Sequence, residues 1–172
     1  DLRFDAEYID NLLDIQHGEG RCRALLHLLF PEMNPSETFH IDHLHPKDSF
    51  KKNKLKKLSY LAEDEALMAF YSDSKHWNSI SNLHLLNDSQ NMSKKAKPLD
   101  LWICDPDINI TKSSLLLDES VSLSFDAFKA FFLQRRAALK TRLQSRVFMT
   151  EVLSIEVIDD LDEEVVEEVV TA

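Results

Sequence analysis

Apolar residues recur every three or four positions in four segments of the chain, which is the spacing of an amphipathic α-helix. These segments predict helices at residues 4–16, 21–30, 55–71 and 124–149. Asp5 and Ser124 suit the N-cap positions of the first and the last helix. Gly18 and Gly20 end the first helix, and Pro31 ends the second. Most of the chain is therefore predicted to be helical.

The stretch 38–46 is different, because it sets three histidines and a carboxylate between apolar residues that suit a short buried strand. Successive side chains of a strand face opposite sides. Asp42 and His43 can therefore serve one site only if the strand bends there. Pro46 has no backbone donor and biases His45 towards an extended or turn conformation, so strand pairing is predicted to end near His43.

The segment 80–98 predicts a second strand followed by a short helix. The strand is Leu83 to Leu86. Asn87 or Asp88 can cap the helix, and Pro98 ends it. The whole pattern predicts an α+β fold that is mostly helical, with no internal repeat that organises the chain.

Charge is distributed unevenly along the 172 residues. Nine of the ten net negative charges lie in residues 151–172, so residues 1–150 carry a net charge of −1. The chain is long enough for one domain with a real core. We predict a domain at 1–150 and an acidic tail at 151–172, and the overall acidity does not exclude nucleic acid as a partner of the domain.

Several classes of protein are excluded by composition. Cys22 and Cys104 lie far apart without a Cys-x-x-Cys pair, which argues against a zinc ribbon or a disulfide framework and for a reducing compartment. No apolar run approaches the roughly 18 residues of a membrane span, and no signal peptide opens the chain. Two glycines cannot build a P-loop or a dinucleotide fingerprint. A cytoplasmic protein without a membrane partner is predicted.

A basic run follows the first predicted strand. Residues 47–57 hold six lysines and one acid. Such a run forms either a solvated face or a phosphate-binding surface, and the run by itself does not favour one of these interpretations over the other. Its place directly after the Asp42-His43 pair favours contact with nucleic acid.

The polar residues of the two predicted strands and the helix form one pattern: Asp42-His43, then Asn82-Leu83, then Asn91 with Lys94 three positions later. This pattern resembles the HNH, or ββα-metal, nuclease superfamily. More closely, residues 39–43 together with 82–86 and Asn91 resemble the C-terminal HNH domain of GmrSD-like restriction proteins. Two features differ from the compact motif. A long segment separates the strands, which implies an inserted helix, and the last position is Asn91 instead of His.

The resemblance implies a domain organisation. Residues 38–97 would form the ββα-metal core with its inserted helix, residues 1–37 the N-terminal helices, and residues 98–150 a C-terminal helical part. GmrSD-like proteins are prokaryotic anti-phage systems that pair this nuclease with an N-terminal NTP-hydrolysing ParB-like domain. A chain that opens at Asp1 without Met is expected to be part of such a longer protein.

The resemblance also implies roles for individual residues. His43 would be the general base, and its ordinary pKa of about 6.5 suits proton removal near neutral pH. Asn82 would hold the loop that orients His43. Asp42 and Asn91 would bind one divalent ion through oxygen atoms, which favours Mg²⁺ or Mn²⁺. His40 is equally well interpreted as a further ligand or as a group that supports a ligand.

The predicted function is a metal-dependent HNH endonuclease that hydrolyses or nicks DNA. Phosphates would be bound without base reading by Lys51, Lys52, Lys54, Lys94 and Lys95. The alternative is a catalytically silent DNA-binding or protein-interaction module with a structural metal site. A nicking assay with and without Mg²⁺ separates the two.

Overall fold

The computed structural model describes residues 6–146. Its helices are α1 (Ala6–Leu13), α2 (Cys22–Leu29), α3 (Lys52–Leu55), α4 (Ser59–Ala62), α5 (Glu65–Ser72), α6 (Ser74–Trp77), α7 (Asp88–Lys94), α8 (Leu99–Trp102) and α9 (residues 128–146). The strands are β1 (His40–His43) and β2 (Leu83–Leu86). Short 3-10 turns lie at Lys47–Phe50, Ile80–Asn82, Ser113–Leu115 and Phe125–Ala127. The predicted class, a mostly helical α+β fold, is confirmed.

The N-terminal helices agree with the sequence pattern. α1 buries Ile9 and Leu13 on one face, and α2 likewise buries Leu25, Leu26 and Leu29 but leaves Leu28 exposed. The proposed cap Asp5 lies outside the described residues. Hydrogen bonds join the turn after α1 to the segment that precedes β2. His17 N–H donates to the Asn78 carbonyl at 2.9 Å, and Ile80 N–H donates to the Ile15 carbonyl at 3.1 Å.

The single helix predicted at 55–71 is wrong. The chain forms three short helices there, α3, α4 and α5, because the backbone is extended at Leu58 and Asp64. The carboxylate of Asp64 accepts a hydrogen bond from the Leu67 N–H at 2.9 Å and starts a new helix. Asp73 caps α6 in the same way, so the predicted connection 72–79 also contains a helical turn.

The sheet consists of β1 and β2, which pair antiparallel with His40 opposite Leu86 and His43 opposite Leu83. Both strands match the predicted segments, and 39 residues of inserted chain separate them. α7 follows β2 directly and packs against both strands. Asn87 caps it in a capping box with Gln90. α7 ends at Lys94, earlier than predicted from Pro98.

Two apolar clusters fill the interior, and α9 contributes to both. Its first turns place Phe128 and Phe131 against the cluster around Trp102. Its later turns place Leu139 and Leu143 against the cluster that holds α1, α2 and β2. The helix predicted at 124–149 is thus confirmed from residue 128 to 146, and residues 147–149 lie outside the described residues. Its predicted start differs, because residues 125–127 form a 3-10 turn and the Ser124 side chain makes no capping hydrogen bond. No helix between residues 6 and 146 is long and apolar enough to cross a bilayer.

Arg135 on α9 is a fully buried charge that binds the backbone entering β2. Its guanidinium donates to the carbonyl oxygens of Ser81 and Leu83, both at 2.9 Å, and to that of Leu115 at 2.9 Å. Burial lowers the pKa of Arg135 to about 9, so the group stays charged at neutral pH. Arg135 therefore fixes the chain where β2 begins.

Candidate functional site

Asn82 fastens the loop that follows β1. Its side chain is buried, Oδ1 accepts from the His45 N–H at 2.9 Å, and Nδ2 donates to the carbonyl oxygens of His45 at 3.0 Å and Trp77 at 2.8 Å. An amide suits this place because it offers an acceptor and two donors in one plane. The Asn82 carbonyl also accepts from Leu44 N–H at 2.8 Å. The loop after His43 is held, as expected from the sequence.

His43 lies at the end of β1, and 7% of its surface is exposed. Its Nε2 lies 2.8 Å from the Oδ1 atom of Asn78. The rings of His17 and Trp77 flank it, with centroids 5.2 and 6.1 Å away. Burial lowers the pKa of His43, against the opposing effects of the Asn78 hydrogen bond and the Asp42 charge. A neutral imidazole at pH 7 can accept a proton.

Asp42 is three-quarters buried, and its Oδ2 atom lies 3.0 Å from Nζ of Lys94. The two charges attract each other, but the contact is not aligned as a hydrogen bond, and Oδ2 has no hydrogen-bond partner among residues 6–146. Asp42 therefore forms a close ion pair with Lys94 inside the protein.

Lys94 is fully buried, which contradicts its expected role as a phosphate ligand at the surface. Its Nζ donates to the His43 carbonyl at 2.6 Å and lies over the Trp102 ring, 5.6 Å from the centroid. Burial lowers the pKa of Lys94, and the charge of Asp42 opposes this effect. Lys94 is buried because α7 packs this face against β1, which is a tertiary contact. Lys95, one position later, is exposed as expected.

The face of α7 that meets β1 carries Asp88, Asn91 and Lys94, each three residues apart. Its two ends contact the strand: Asp88 Oδ1 lies 2.6 Å from Nε2 of His40, and Lys94 contacts Asp42. Asn91 lies between these contacts and is half-buried. Its side chain makes no hydrogen bond within residues 6–146, so its amide oxygen is available beside the strand.

The donor chemistry of this face fits the divalent ion that the family resemblance implies. Asp42 offers a carboxylate, which is paired with Lys94 in the structure, and Asn91 offers an amide oxygen. Mg²⁺ or Mn²⁺ takes such hard ligands together with water and phosphate. His40 is exposed and bound to Asp88, which suits a supporting group. In the described part of the chain, no three His, Cys, Asp or Glu side chains converge to hold a metal.

The remaining histidines of the pattern lie in the core. His45 packs against Phe128 and Phe131, with ring centroids 5.4 and 4.6 Å away, and burial lowers its pKa to about 3. His84 packs edge-on against Phe30, and burial again lowers its pKa far below the usual value. Both rings are neutral packing groups.

The lysine run forms an exposed basic edge that begins beside His43. Lys47 lies over the Trp77 ring at 5.9 Å, and its charge helps to lower the pKa of His43. Lys51 and Lys54 both pair with Asp48 and hold its pKa down at about 2. Their charge is therefore partly balanced. Three other exposed lysines of the run form no ion pair with any of residues 6–146: Lys52, Lys56 and Lys57.

Sequence reasoning missed three residues that contact the candidate site. Asn78 and His17 adjoin His43, and Asp88 binds His40. The first two come together only through the backbone contacts between the turn after α1 and residues 78–80, which no local pattern indicates. Asp88 was recognised only as a cap. No protein-family model and no curated protein matches this chain.

Proposed function

We propose that residues 38–97 form the core of a metal-dependent, HNH-type endonuclease that cuts DNA phosphodiester bonds. The observation that supports this most is the arrangement of the strand end: His43 closes β1, Asn82 clamps the loop after it, and α7, the helix that carries Asn91, packs against the same strand. Strand, strand and helix thus carry the expected residue types in the expected order. We further propose that the domain is the effector of a prokaryotic restriction or anti-phage protein, cytoplasmic, with a ParB-like NTP-hydrolysing domain in the full-length chain.

In the reaction, the oxygen of a water molecule bonds to phosphorus and one ester P–O bond breaks. The electron pair of that bond stays on the leaving oxygen, which takes a proton from solvent. His43 accepts the proton that the attacking water loses. Asp42 and Asn91 would hold a divalent ion, which would supply charge stabilisation to the phosphate when bound. Asn82 keeps His43 in place through the loop.

DNA lies along the basic edge in this proposal, and its phosphates are bound by charge without base reading. Because Asp48 balances part of the charge of Lys51 and Lys54, the stronger contribution comes from Lys52 and its neighbours at 56 and 57. Changing residues 52, 56 and 57 together to Ala should flatten the salt dependence of DNA binding, by roughly 0.9 in slope for each phosphate that is no longer neutralised. Changing Lys51 and Lys54 should flatten it less. An equal effect of both sets contradicts the role given to Asp48.

The decisive experiment is a plasmid-nicking assay with Mg²⁺, with Mn²⁺ and with chelator. His43→Ala should lower cleavage about a hundredfold or more, the scale of general-base loss, while DNA binding and calorimetric Mn²⁺ affinity persist. Asn91→Ala should weaken Mn²⁺ binding instead, and excess metal should partly restore cutting. His27→Ala, a half-buried histidine on α2, is the matched control. A His43→Ala protein that cuts normally refutes the assignment.

The ion pair between Lys94 and Asp42 favours one other function, a catalytically silent DNA-binding module, because the lysine already neutralises the carboxylate that would hold a metal. Binding of DNA without cleavage at any Mg²⁺ or Mn²⁺ concentration would establish that function.

A further inference from the structure

A chain of three side-chain contacts runs away from His43 into the N-terminal part of the protein. Nε2 of His43 lies 2.8 Å from Asn78 Oδ1, Nδ2 of Asn78 donates to Gln16 Oε1 at 3.0 Å, and the Gln16 amide nitrogen reaches Ser74 Oγ at 3.4 Å. Asn78, Gln16 and Ser74 are all half-buried.

The backbone holds the two amides of this chain against each other. Residues 15–17 run beside 78–80, with Gln16 bridged to Ser79 and main-chain hydrogen bonds on both sides of that pair. Two segments more than sixty residues apart in sequence are thereby fixed at the distance that the side chains need. The placement of Gln16 behind Asn78 is thus part of the fold and not a chance surface contact.

The structure places the side-chain oxygen of Gln16 towards Nδ2 of Asn78 and the side-chain oxygen of Asn78 towards Nε2 of His43. An amide oxygen only accepts, so the contact with His43 is a hydrogen bond only when Nε2 carries hydrogen. A neutral imidazole has one ring N–H, and its Nδ1 is then the unprotonated nitrogen.

We propose that Asn78, oriented by Gln16, is a positioning residue that holds neutral His43 in the Nε2–H tautomer and makes Nδ1 the atom that accepts the proton. The tautomer follows from the hydrogen-bond chain alone, whereas the acceptance of a proton from water rests on the proposed nuclease function. Asn78 touches neither the DNA nor the reacting water in this scheme. It acts only through the orientation of the ring.

The tautomer can be read directly by nitrogen NMR of the histidine rings at pH 8, above the ordinary histidine pKa of about 6.5. The wild-type protein should show hydrogen on Nε2 of His43, protected from exchange with water. Asn78→Leu keeps the size of the side chain but removes the acceptor, so the protection should disappear. Asn78→Asp keeps an acceptor at the same place and should retain it. Hydrogen on Nδ1 in the wild-type protein overturns the inference, whatever the activity.

Cleavage kinetics provide the second measurement. Asn78→Leu should lower kcat about ten- to a hundredfold, comparable to the loss of a group that orients a functional histidine, while KM and Mn²⁺ affinity stay unchanged. Asn78→Asp should restore most of the rate. If Asn78→Leu does not fold, Gln16→Met removes the group that orients Asn78 and should cause a smaller loss of the same kind. Gln134→Met, a half-buried amide on α9 that accepts from the Asp118 N–H, is the matched control.

The outcomes separate this inference from the proposed function. Unchanged kcat and unchanged ring protection in both Asn78→Leu and Gln16→Met overturn the positioning role. A wild-type protein that never cuts DNA, but shows the protected Nε2–H and loses it in Asn78→Leu, supports the hydrogen-bond chain and refutes only the nuclease proposal.

Discussion

Single polar side chains hold the candidate site, and Asn82 is the clearest of them. All its amide hydrogen bonds go to the main chain of His45 and Trp77, near the two ends of the insertion, so it joins the end of β1 to the segment before β2. Neither aspartate nor alanine can replace Asn82 without loss of hydrogen bonds. An aspartate lacks the donors, and an alanine leaves the buried N–H and C=O of His45 without partners.

Asn82→Ala should therefore lower the free energy of unfolding by about 2–4 kcal/mol, because it removes a buried network and leaves its partners unsatisfied. Urea unfolding followed by tryptophan fluorescence measures this. Asn53→Ala, on the exposed side of α3, should change stability by less than about 0.5 kcal/mol. Equal stability of the two variants contradicts the clamp.

His45 makes stability depend on pH. Above a pH of about 6.5 the ring is neutral in the folded and the unfolded chain and has no effect. As pH falls below this value the unfolded chain binds a proton that the folded core excludes down to a pKa of about 3, so the free energy of unfolding decreases. Urea unfolding at pH 7.5, 6.0 and 5.0 should show the decline, and His45→Phe should make it shallower. An unchanged slope in that variant shows that the ring is not held neutral.

At the scale of elements, the sequence predicted the helices and strands that depend mainly on residues close together in the chain. β2 and the cap of α7 follow from an apolar run and an asparagine at the right place, and both are confirmed. The helix predicted at 55–71 was wrong because its apolar spacing ignored the capping tendency of Asp64. The burial of Lys94 was not predictable locally, since it depends on which face of α7 meets β1. The contact of Asn78 with His43 depends on tertiary structure in the same way.

The contact between α7 and β1 leads to a prediction on Lys94. Lys94→Met removes a buried ammonium and leaves Asp42 without a counter-charge, so stability should fall by about 1–3 kcal/mol, less than for a fully buried pair because Asp42 is partly exposed. Adding Asp42→Asn should recover part of the loss, and the double-mutant cycle gives the coupling. Calorimetry should also show tighter Mn²⁺ binding in Lys94→Met, because a competing positive charge is gone. Weaker Mn²⁺ binding contradicts the competition.

For the whole molecule, charge separates the chain into two parts. The lysine edge belongs to the near-neutral first 150 residues, and nine acidic groups without a Lys or Arg belong to residues 151–172, which lie outside the described residues. This division of charge between the two parts of the chain could be predicted from the sequence alone. The balancing of Lys51 and Lys54 by Asp48 was not, since it requires the 3-10 turn at Lys47–Phe50.

Removing residues 151–172 should tighten DNA binding at low salt, because nine tethered negative charges compete with phosphates for the lysines. Fluorescence anisotropy at about 50 mM and at 0.5 M salt measures the effect, which should shrink at the higher salt as screening increases. A matched chain that keeps the tail but replaces its nine acids by Gln or Asn should bind like the truncated one. Identical affinity of the truncated and full chains at low salt rules out the competition.

Arg135 on α9 links the folding of β2 to the order in which the chain is synthesised. The carbonyl groups of Ser81 and Leu83 accept hydrogen bonds from a guanidinium that is more than fifty residues further along the chain, so they gain this buried partner only after α9 has been made. On the ribosome, the residues of the site emerge well before that point. The strands they belong to must also close a 39-residue loop, which is a slow, non-local step. A nascent chain that stops before α9 thus contains Asp42, His43 and Asn91 but lacks the guanidinium that fixes the start of β2.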